Sequence, residues 1–221
     1  MGSGTRYSRS PLDAKKKSLI ASERDAWTRA FFAVAQTEIV AEDVVVLDEF
    51  GSNVDMTPRY ARAPAGERAV ASVPRTTPTN TTTIASLTTK GMGPALSVSG
   101  GVDRLTFEAY LEQVLGPSLR AGQIVILDNL SAHKGGRIEQ LVAARGCRLL
   151  YLPTYSPDFS PIELAFAKVK PMLRRIGART RELLHIAIGQ ALEAISADDA
   201  AAFFRHCGYR FPPDWNQCFC S

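Results

Sequence analysis

The sequence lacks the features of a membrane-spanning or disulfide-stapled protein. No apolar stretch approaches the roughly 20 residues that a membrane-spanning helix needs. The N-terminal segment has no apolar core, as a secretory signal would, and Arg6 stands where a myristoylation signal requires Ser or Thr. The four cysteines include no CxxC pair and show no pairing pattern, so we expect a reduced cytosolic protein.

A zinc centre has little support in the sequence. His206, Cys207, Cys218 and Cys220 are candidate ligands, but their spacing fits no common zinc finger. Cys147 lies in an apolar run and is most simply a small buried side chain.

Internal repeats and a clear domain boundary are absent as well. At 221 residues, with 45% hydrophobic and 22% charged residues, the chain is long enough for one substantial core. We therefore expect a flexible leader over residues 1–14 and a single domain over residues 15–221.

The sequence does contain two short apolar runs that end in acids. Residues 124–127 read Ile-Val-Ile-Leu before Asp128, and residues 44–47 read Val-Val-Val-Leu before Asp48. Such runs, without polar alternation, are typical of strands buried on both faces of a sheet. We expect a turn at 51–53 to follow the first strand, so that both aspartates lie at strand ends, where open α/β sheets bind their ligands.

The other elements predicted from the pattern complete a mixed sheet. They are a helix over 12–40, an extended region with short strands over 57–79, a hairpin joining 81–87 to 95–98 through a turn at 90–93, a helix over 107–115, a crossover helix within 134–146, a strand over 147–152, and two C-terminal helices capped by Thr180 and Ser196. The predicted fold class is α/β, with three antiparallel strands, a parallel β-α-β unit and a further helix.

Glu163 is predicted to open the helix after the last strand, and 34 residues separate it from Asp128. The loop before it is stiffened by Pro153, Pro157 and Pro161. A structural alternative explains Glu163 by capping alone, because Ser160 and Glu163 form a capping-box sequence with proline at the first helical position.

Asp48, Asp128 and Glu163 are the candidate catalytic residues and metal ligands. Carboxylates on rigid elements suit Mg²⁺ or Mn²⁺, and two such ions can activate the attacking oxygen and stabilise the leaving oxygen at phosphorus. For each aspartate, the alternative is a strand end whose side chain accepts backbone N–H groups. Three neighbours are secondary candidates: Glu49 as a second choice of ligand, and Asn129 and His133 as supporting residues.

The net charge is only +4, yet the basic residues are clustered. The candidate DNA-binding residues are six cations that share the 164–186 region with one acid: Lys168, Lys170, Arg174, Arg175, Arg179 and Arg181. A second cluster contains Arg59, Arg62, Arg68 and Arg75. Such clusters are often solvated faces, but beside metal-binding acids they indicate a phosphate-backbone surface. Pro171 predicts a kink or break in the helix that carries the first of them.

Three blocks of the sequence, VVVLDEFGSN, IVILDNLSAHKG and LPTYSPDFSPIELAFAKVK, resemble the catalytic blocks of DDE transposases. Their order and the 34-residue gap before the glutamate are similar to the bacterial insertion-sequence branch of the mariner superfamily. The resemblance implies an RNase H-like fold and Mg²⁺-dependent cleavage of DNA at transposon ends, followed by strand transfer. It also implies that Asp48, Asp128 and Glu163 hold the metal, with Mn²⁺ as a substitute.

The sequence departs from the family pattern in two places. Ser160 stands where family members commonly have Asn, and only 47 residues precede Asp48, without a pair of helix-turn-helix modules. We therefore expect a catalytic domain without sequence-specific recognition of transposon ends.

The expected partner is DNA, as transposon ends and as target. A homodimer and a separate chain carrying the helix-turn-helix modules are further candidates, and the expected location is the bacterial cytoplasm in association with the nucleoid. Two alternative functions stay open. One is a catalytically silent remnant that binds DNA or a partner, and the other is a different RNase H-like nuclease.

Overall fold

The chain folds around a five-stranded mixed sheet with helices on both faces. The structure is a computed structural model that describes residues 21–22, 24–74, 80–129 and 136–212. The strands are β1 (Val44–Ser52), β2 (Thr81–Thr88), β3 (Gly91–Ser99), β4 (Ile124–Leu127) and β5 (Arg148–Tyr151). The helices are α1 (Ala26–Gln36), α2 (Arg104–Ala109), α3 (Gly136–Ala143), α4 (Pro161–Ile176), α5 (Arg181–Glu193) and α6 (Ala197–His206). A π-helical turn, Tyr110–Leu115, continues α2.

The strand order in the sheet is β3-β2-β1-β4-β5. The β1–β2 and β2–β3 pairs are antiparallel, whereas the β1–β4 and β4–β5 pairs are parallel. This arrangement confirms the predicted fold class. It also sends the carboxyl ends of β1, β4 and β5 to the same edge of the sheet.

The apolar run in β1 serves two cores, one on each face of the sheet. Val44 and Val46 belong to the core under α4, α5 and α6. Val45 and Leu47 belong to the core under α3 and the π-helical turn. Side chains alternate between the two faces of a strand. A strand that is covered on both faces is therefore apolar at successive positions and not only at every second one.

Helix α4 continues through Pro171, so the predicted break is wrong, whereas a kink at this position stays a prediction. A proline inside a helix costs about 3 kcal/mol. One face of α4 buries several apolar side chains at about 1.5–3 kcal/mol each, which outweighs that cost. These side chains are Ile162, Phe166, Val169 and Leu173, and the smaller Ala165 is buried on the same face. The helix ends at Gly177, whose φ of 62° is the left-handed conformation of a C-cap.

Several predicted boundaries differ from the structure. Strand β1 includes Gly51 and Ser52, expected in a turn, because they pair with Thr82 and Thr81 of β2. Among the described residues 57–74 there are no strands, although short ones were expected. The predicted helix over 12–40 is α1 alone within the described chain, because Asp25 caps its start by accepting the Trp27 N–H.

The hairpin turn is also shorter than expected, because Gly91 pairs with Thr88 and belongs to β3. Among the described helices, none is long and apolar enough to cross a membrane.

Candidate active site

The register of the parallel strands brings Asp48 and Asp128 to the same level. Val46 of β1 lies opposite Ile126 of β4, so two residues further on Asp48 faces the position of Asp128. Asp128 follows the last residue of β4, as predicted. Asp48 lies inside β1 and not at its end, because β1 continues past β4 to pair with β2, where Asp48 faces Ala85. Asp48 and Asp128 nevertheless lie level with each other along the sheet, as expected.

Glu163 reaches this edge from the first turn of α4. Ser160 occupies the N-cap position, but its side chain makes no capping hydrogen bond within the described chain. The predicted capping box is therefore wrong, and capping does not account for Glu163. The glutamate is exposed, which leaves its carboxylate open to a ligand.

The three acids line one cavity of about 340 Å³, which we call the acid cavity. The other residues of its wall are Asn129, Leu152, Pro153, Thr154, Tyr155, Ser156, Pro157 and Ser160. Burial raises the pKa of Asp48 to about 7, although the hydrogen bond from the Glu49 N–H to Oδ1 at 2.7 Å opposes this. The negative charges of Glu163 and Asp128 raise that pKa further. The acids therefore lie close enough to repel one another.

The donor set of the acid cavity fits a hard divalent cation. Three carboxylates from rigid elements are ligands that Mg²⁺ prefers, and a cation would relieve both their mutual repulsion and the burial of Asp48. Within the described ranges, however, no three acidic, histidine or cysteine side chains stand in a ready-made metal site. The carboxylates thus share the cavity without being closed around a common point.

The loop between β5 and α4 is anchored from several directions. Asp158 accepts hydrogen bonds from Arg29 at 2.5 Å and from Arg24 at 3.1 Å. Arg29 also lies over the Phe159 ring, 4.5 Å from its centroid, and the Tyr209 hydroxyl donates to the Phe159 carbonyl at 3.0 Å. Burial raises the pKa of Asp158, but Arg29 and Arg24 together hold it below its usual value.

Of the two predicted supporting residues, Asn129 lines the acid cavity. Its Nδ2 donates to Thr154 Oγ1 at 3.2 Å, which connects the end of β4 to the loop after β5. Asn129 therefore contacts the loop after β5. His133 lies outside the described residues, as do Arg75, Cys218 and Cys220.

A second cavity of about 600 Å³, which we call the basic groove, adjoins the acids. Its cations are Arg59, Lys170, Arg174 and Arg175, and it is completed by Pro58, Tyr60, Glu163, Ala167 and Pro171. Glu163 lines both cavities, so the groove leads to the acid cavity. Because α4 is unbroken, its lining residues recur at helical spacing along one exposed face.

The other three predicted DNA-binding cations have structural partners. Lys168 Nζ pairs with Asp199 at 2.5 Å and connects α4 to the start of α6. Arg179 Nη1 donates to the carbonyls of Val54 and Met56, both at 3.0 Å. Arg181 donates to Ser99 Oγ at 3.4 Å. These contacts take the three cations away from the basic groove.

The chain matches one known protein family over most of its length. Residues 43–185 match the profile of the DDE superfamily endonucleases. The chain belongs to that family. The match spans all three acids and ends within α5. The predicted DDE transposase family is thereby confirmed, whereas the bacterial insertion-sequence branch stays a prediction.

Individual relatives agree with this assignment. The Tcb1 transposase of Caenorhabditis briggsae is 31% identical over 91 residues, which are 39% of this chain and 33% of that protein. The chain therefore spans about a third of the length of this curated relative.

Solved structures of the Mos1 transposase share the fold. The Mos1 strand transfer complex matches with a TM-score of 0.67 at 15% identity, covering 95% of this chain and 65% of that one. The Mos1 mariner paired end complex with Mg matches with a TM-score of 0.66 at 14% identity, covering 95% and 66%. At these identities the likeness establishes the fold, which confirms the RNase H-like prediction.

Proposed function

We propose that this chain is the catalytic domain of a transposase, which cleaves DNA phosphodiester bonds at transposon ends and transfers the freed strand to target DNA. The observation that carries the proposal is the convergence of Asp48, Asp128 and Glu163 on one cavity within a chain of the DDE superfamily. Their positions, spread over three elements, favour a reaction over a structural role. A strand-end or capping role would need no common cavity.

In this proposal the three acids are the metal ligands, with two Mg²⁺ ions per site and Mn²⁺ as a substitute. Bound there, the ions would activate the attacking oxygen and stabilise the leaving oxygen of a displacement at phosphorus. The Mos1 complex determined with Mg supports this choice of metal.

The protein groups supply position and charge. The Glu49 N–H holds Oδ1 of Asp48 in place, and the raised pKa of Asp48 means that it carries a proton for part of the time near neutral pH. That proton must leave before Asp48 can act as a ligand, so metal affinity should rise with pH. Asn129 holds the loop that forms the opposite wall.

The basic groove is the proposed track for the DNA backbone. Glu163, Lys170 and Arg174 lie on one face of α4, and the eleven helical steps from the first to the last span about 16 Å. Arg59 faces them from the loop after β1. Cations at such spacing contact phosphates and not base edges, so binding should be sequence-tolerant and steeply salt-dependent.

The wider setting of the chain is proposed on the sequence blocks alone. They favour the bacterial insertion-sequence branch of the mariner superfamily, a single catalytic domain over residues 15–221, and a location in the bacterial cytoplasm with the nucleoid. A homodimer and a separate chain with helix-turn-helix modules are the proposed protein partners.

Nicking of supercoiled plasmid in the presence of Mg²⁺ or Mn²⁺ tests the proposal. The wild-type chain should nick, and Asp128→Asn should lose nicking while it keeps or gains DNA affinity, because one negative charge facing phosphate is removed. The matched control is Asp43→Asn, an exposed carboxylate before β1. Binding without nicking by the wild type would favour the silent remnant, and full activity in Asp128→Asn would refute the assigned role.

A further inference from the structure

The loop beside the acids holds Tyr155 in a strained conformation. Among the described residues it is the one residue other than glycine with a positive φ, at 54°. A side chain in the left-handed region crowds its β-carbon against the backbone, so glycine or asparagine is the usual occupant. Strain of this kind persists where the surrounding structure enforces it, and it concentrates at functional sites.

The surroundings of Tyr155 do enforce the conformation. Ser156 Oγ donates to the Thr154 carbonyl, and Asn129 Nδ2 donates to Thr154 Oγ1, both at 3.2 Å. Pro153 and Pro157 restrict the backbone on either side. The ion pairs of Asp158 fix the far end of the loop.

This rigid loop presents the Tyr155 ring to solvent at the rim of the acid cavity. Tyr155 lines the same cavity as Asp48, Asp128 and Glu163, yet 55% of the residue is exposed. The ring belongs to neither of the two cores, so core packing does not account for its position. Its chemistry suits a flat, apolar ligand with a polar edge.

We propose that Tyr155 is a positioning residue that stacks on the nucleobase beside the scissile phosphate. The proposal rests on the proposed function and deepens it by naming the DNA group that this wall of the cavity receives. Aromatic rings stack on every base, because each base has a π-face, so the contact tolerates sequence. The groove cations hold the strand by its phosphates, and the ring fixes where along the strand the acids act.

Three variants separate the ring from the strain. Tyr155→Phe keeps the ring, Tyr155→Ala removes it but keeps the β-carbon, and Tyr155→Gly removes both. Since glycine adopts positive φ freely, Tyr155→Gly should melt close to the wild-type temperature. In plasmid nicking with Mn²⁺, the kcat of the Ala and Gly variants should fall about ten-fold, equivalent to about 1.4 kcal/mol. Tyr155→Phe should stay within about two-fold of wild type, because the ring makes the contact.

DNA affinity serves as a control, and photo-crosslinking gives a readout that a merely structural role would not change. DNA affinity in EDTA should be nearly the same for all four proteins, because the phosphate contacts of the groove are intact. Photo-crosslinking to a duplex that carries 5-iodouracil should give an adduct at position 155 in wild type and Tyr155→Phe. No adduct should form there in the other two.

The proposal is overturned if Tyr155→Gly nicks at the wild-type rate, or if wild-type adducts form only at other residues. Failure of the proposed function would look different, because the wild type would then neither bind duplex DNA nor nick plasmid.

Discussion

Two loops leave the same edge of the sheet and differ in how they are held. The loop after β5, residues 152–160, is fixed by Arg24, Arg29, Asn129 and Tyr209, and it delivers Glu163 to the acid cavity. The loop after β1 is anchored near its start, where Arg179 binds the Val54 and Met56 carbonyls. Every residue from 58 to 72 is exposed.

The difference matches two tasks that DNA cleavage combines. Chemistry at phosphorus needs ligands held to within a fraction of an ångström, which a loop with many anchors can provide. Contact with a phosphate backbone needs cations on an accessible surface, and Arg59 in the exposed loop meets that need together with α4. We therefore assign the loop after β5, the short loop, to positioning of the acids. We assign the loop after β1, the long loop, to binding of DNA.

The largest expected effect comes from the acid at the end of the short loop. Glu163→Gln should lower the rate of metal-dependent plasmid nicking on the order of a thousand-fold, equivalent to about 4 kcal/mol of transition-state stabilisation. Glu67→Gln, an exposed glutamate in the long loop, is the matched control and should nick normally. Equal activity in the two variants would remove the distinction between the loops.

The next effect concerns the cost of placing Asp48 beside the other acids. Its pKa is raised to about 7 in the folded chain, so the folded state resists the ionisation that the unfolded state undergoes near pH 4. The contribution of Asp48 to the free energy of unfolding without metal should be fully present below about pH 4 and lost as pH rises through 7. The loss should be roughly 4 kcal/mol, at about 1.4 kcal/mol for each pKa unit.

Urea unfolding in EDTA measures this cost. Asp48→Asn should be more stable than wild type at pH 8 and nearly equal to it at pH 4, because asparagine stays neutral. Asp43→Asn should show no such pH dependence, since the carboxylate it removes is exposed. A wild-type stability that is flat between pH 4 and pH 8 would contradict the burial of Asp48 among the acids.

A smaller effect should follow from releasing the short loop. Arg29→Ala removes the contacts with Asp158 and with the Phe159 ring, and should lower stability by about 1–2 kcal/mol. Nicking should slow as well, while DNA affinity stays close to wild type. Arg104→Ala breaks an exposed pair with Glu108 on α2 and should change neither the stability nor the rate of nicking. If the two variants behave alike, the anchors do not position the acids.

The smallest effects should come from single cations of the basic groove. Lys170→Ala should weaken DNA binding at low salt and reduce the slope of log affinity against log salt by about one. Lys168→Ala, two residues earlier on the same helix, should leave that slope unchanged, because Lys168 pairs with Asp199. A salt titration by fluorescence anisotropy compares the two. An equal fall of the slope in both variants would mean that Lys168 also contacts DNA phosphates, so that binding is not confined to the cations of the basic groove.

The features that the sequence could predict are those that depend on residues close together in the chain. The two apolar runs revealed β1 and β4, and the acids that follow them revealed Asp48 and Asp128, because a buried strand and its end impose a local pattern. Glu163 was predicted from its place after the proline-rich loop. These features depend on neighbours in the sequence, so the pattern was sufficient.

What the sequence could not predict depends on partners far away in the chain. Arg29 and Asp158 are 129 residues apart, and nothing in the local pattern connects them. Lys168 and Arg179 looked like free cations, yet their partners come from α6 and from the loop after β1. Pro171 follows a local rule that burial of the opposite helix face overrides.

Anomalous diffraction from crystals soaked in Mn²⁺ tests the central claim most directly. The predicted result is manganese density in the acid cavity within about 2.5 Å of carboxylate oxygens of Asp48, Asp128 and Glu163, with no such density in Asp128→Asn crystals. Manganese bound elsewhere, or a well-ordered cavity in which the three carboxylates stay apart at saturating Mn²⁺, would contradict the claim.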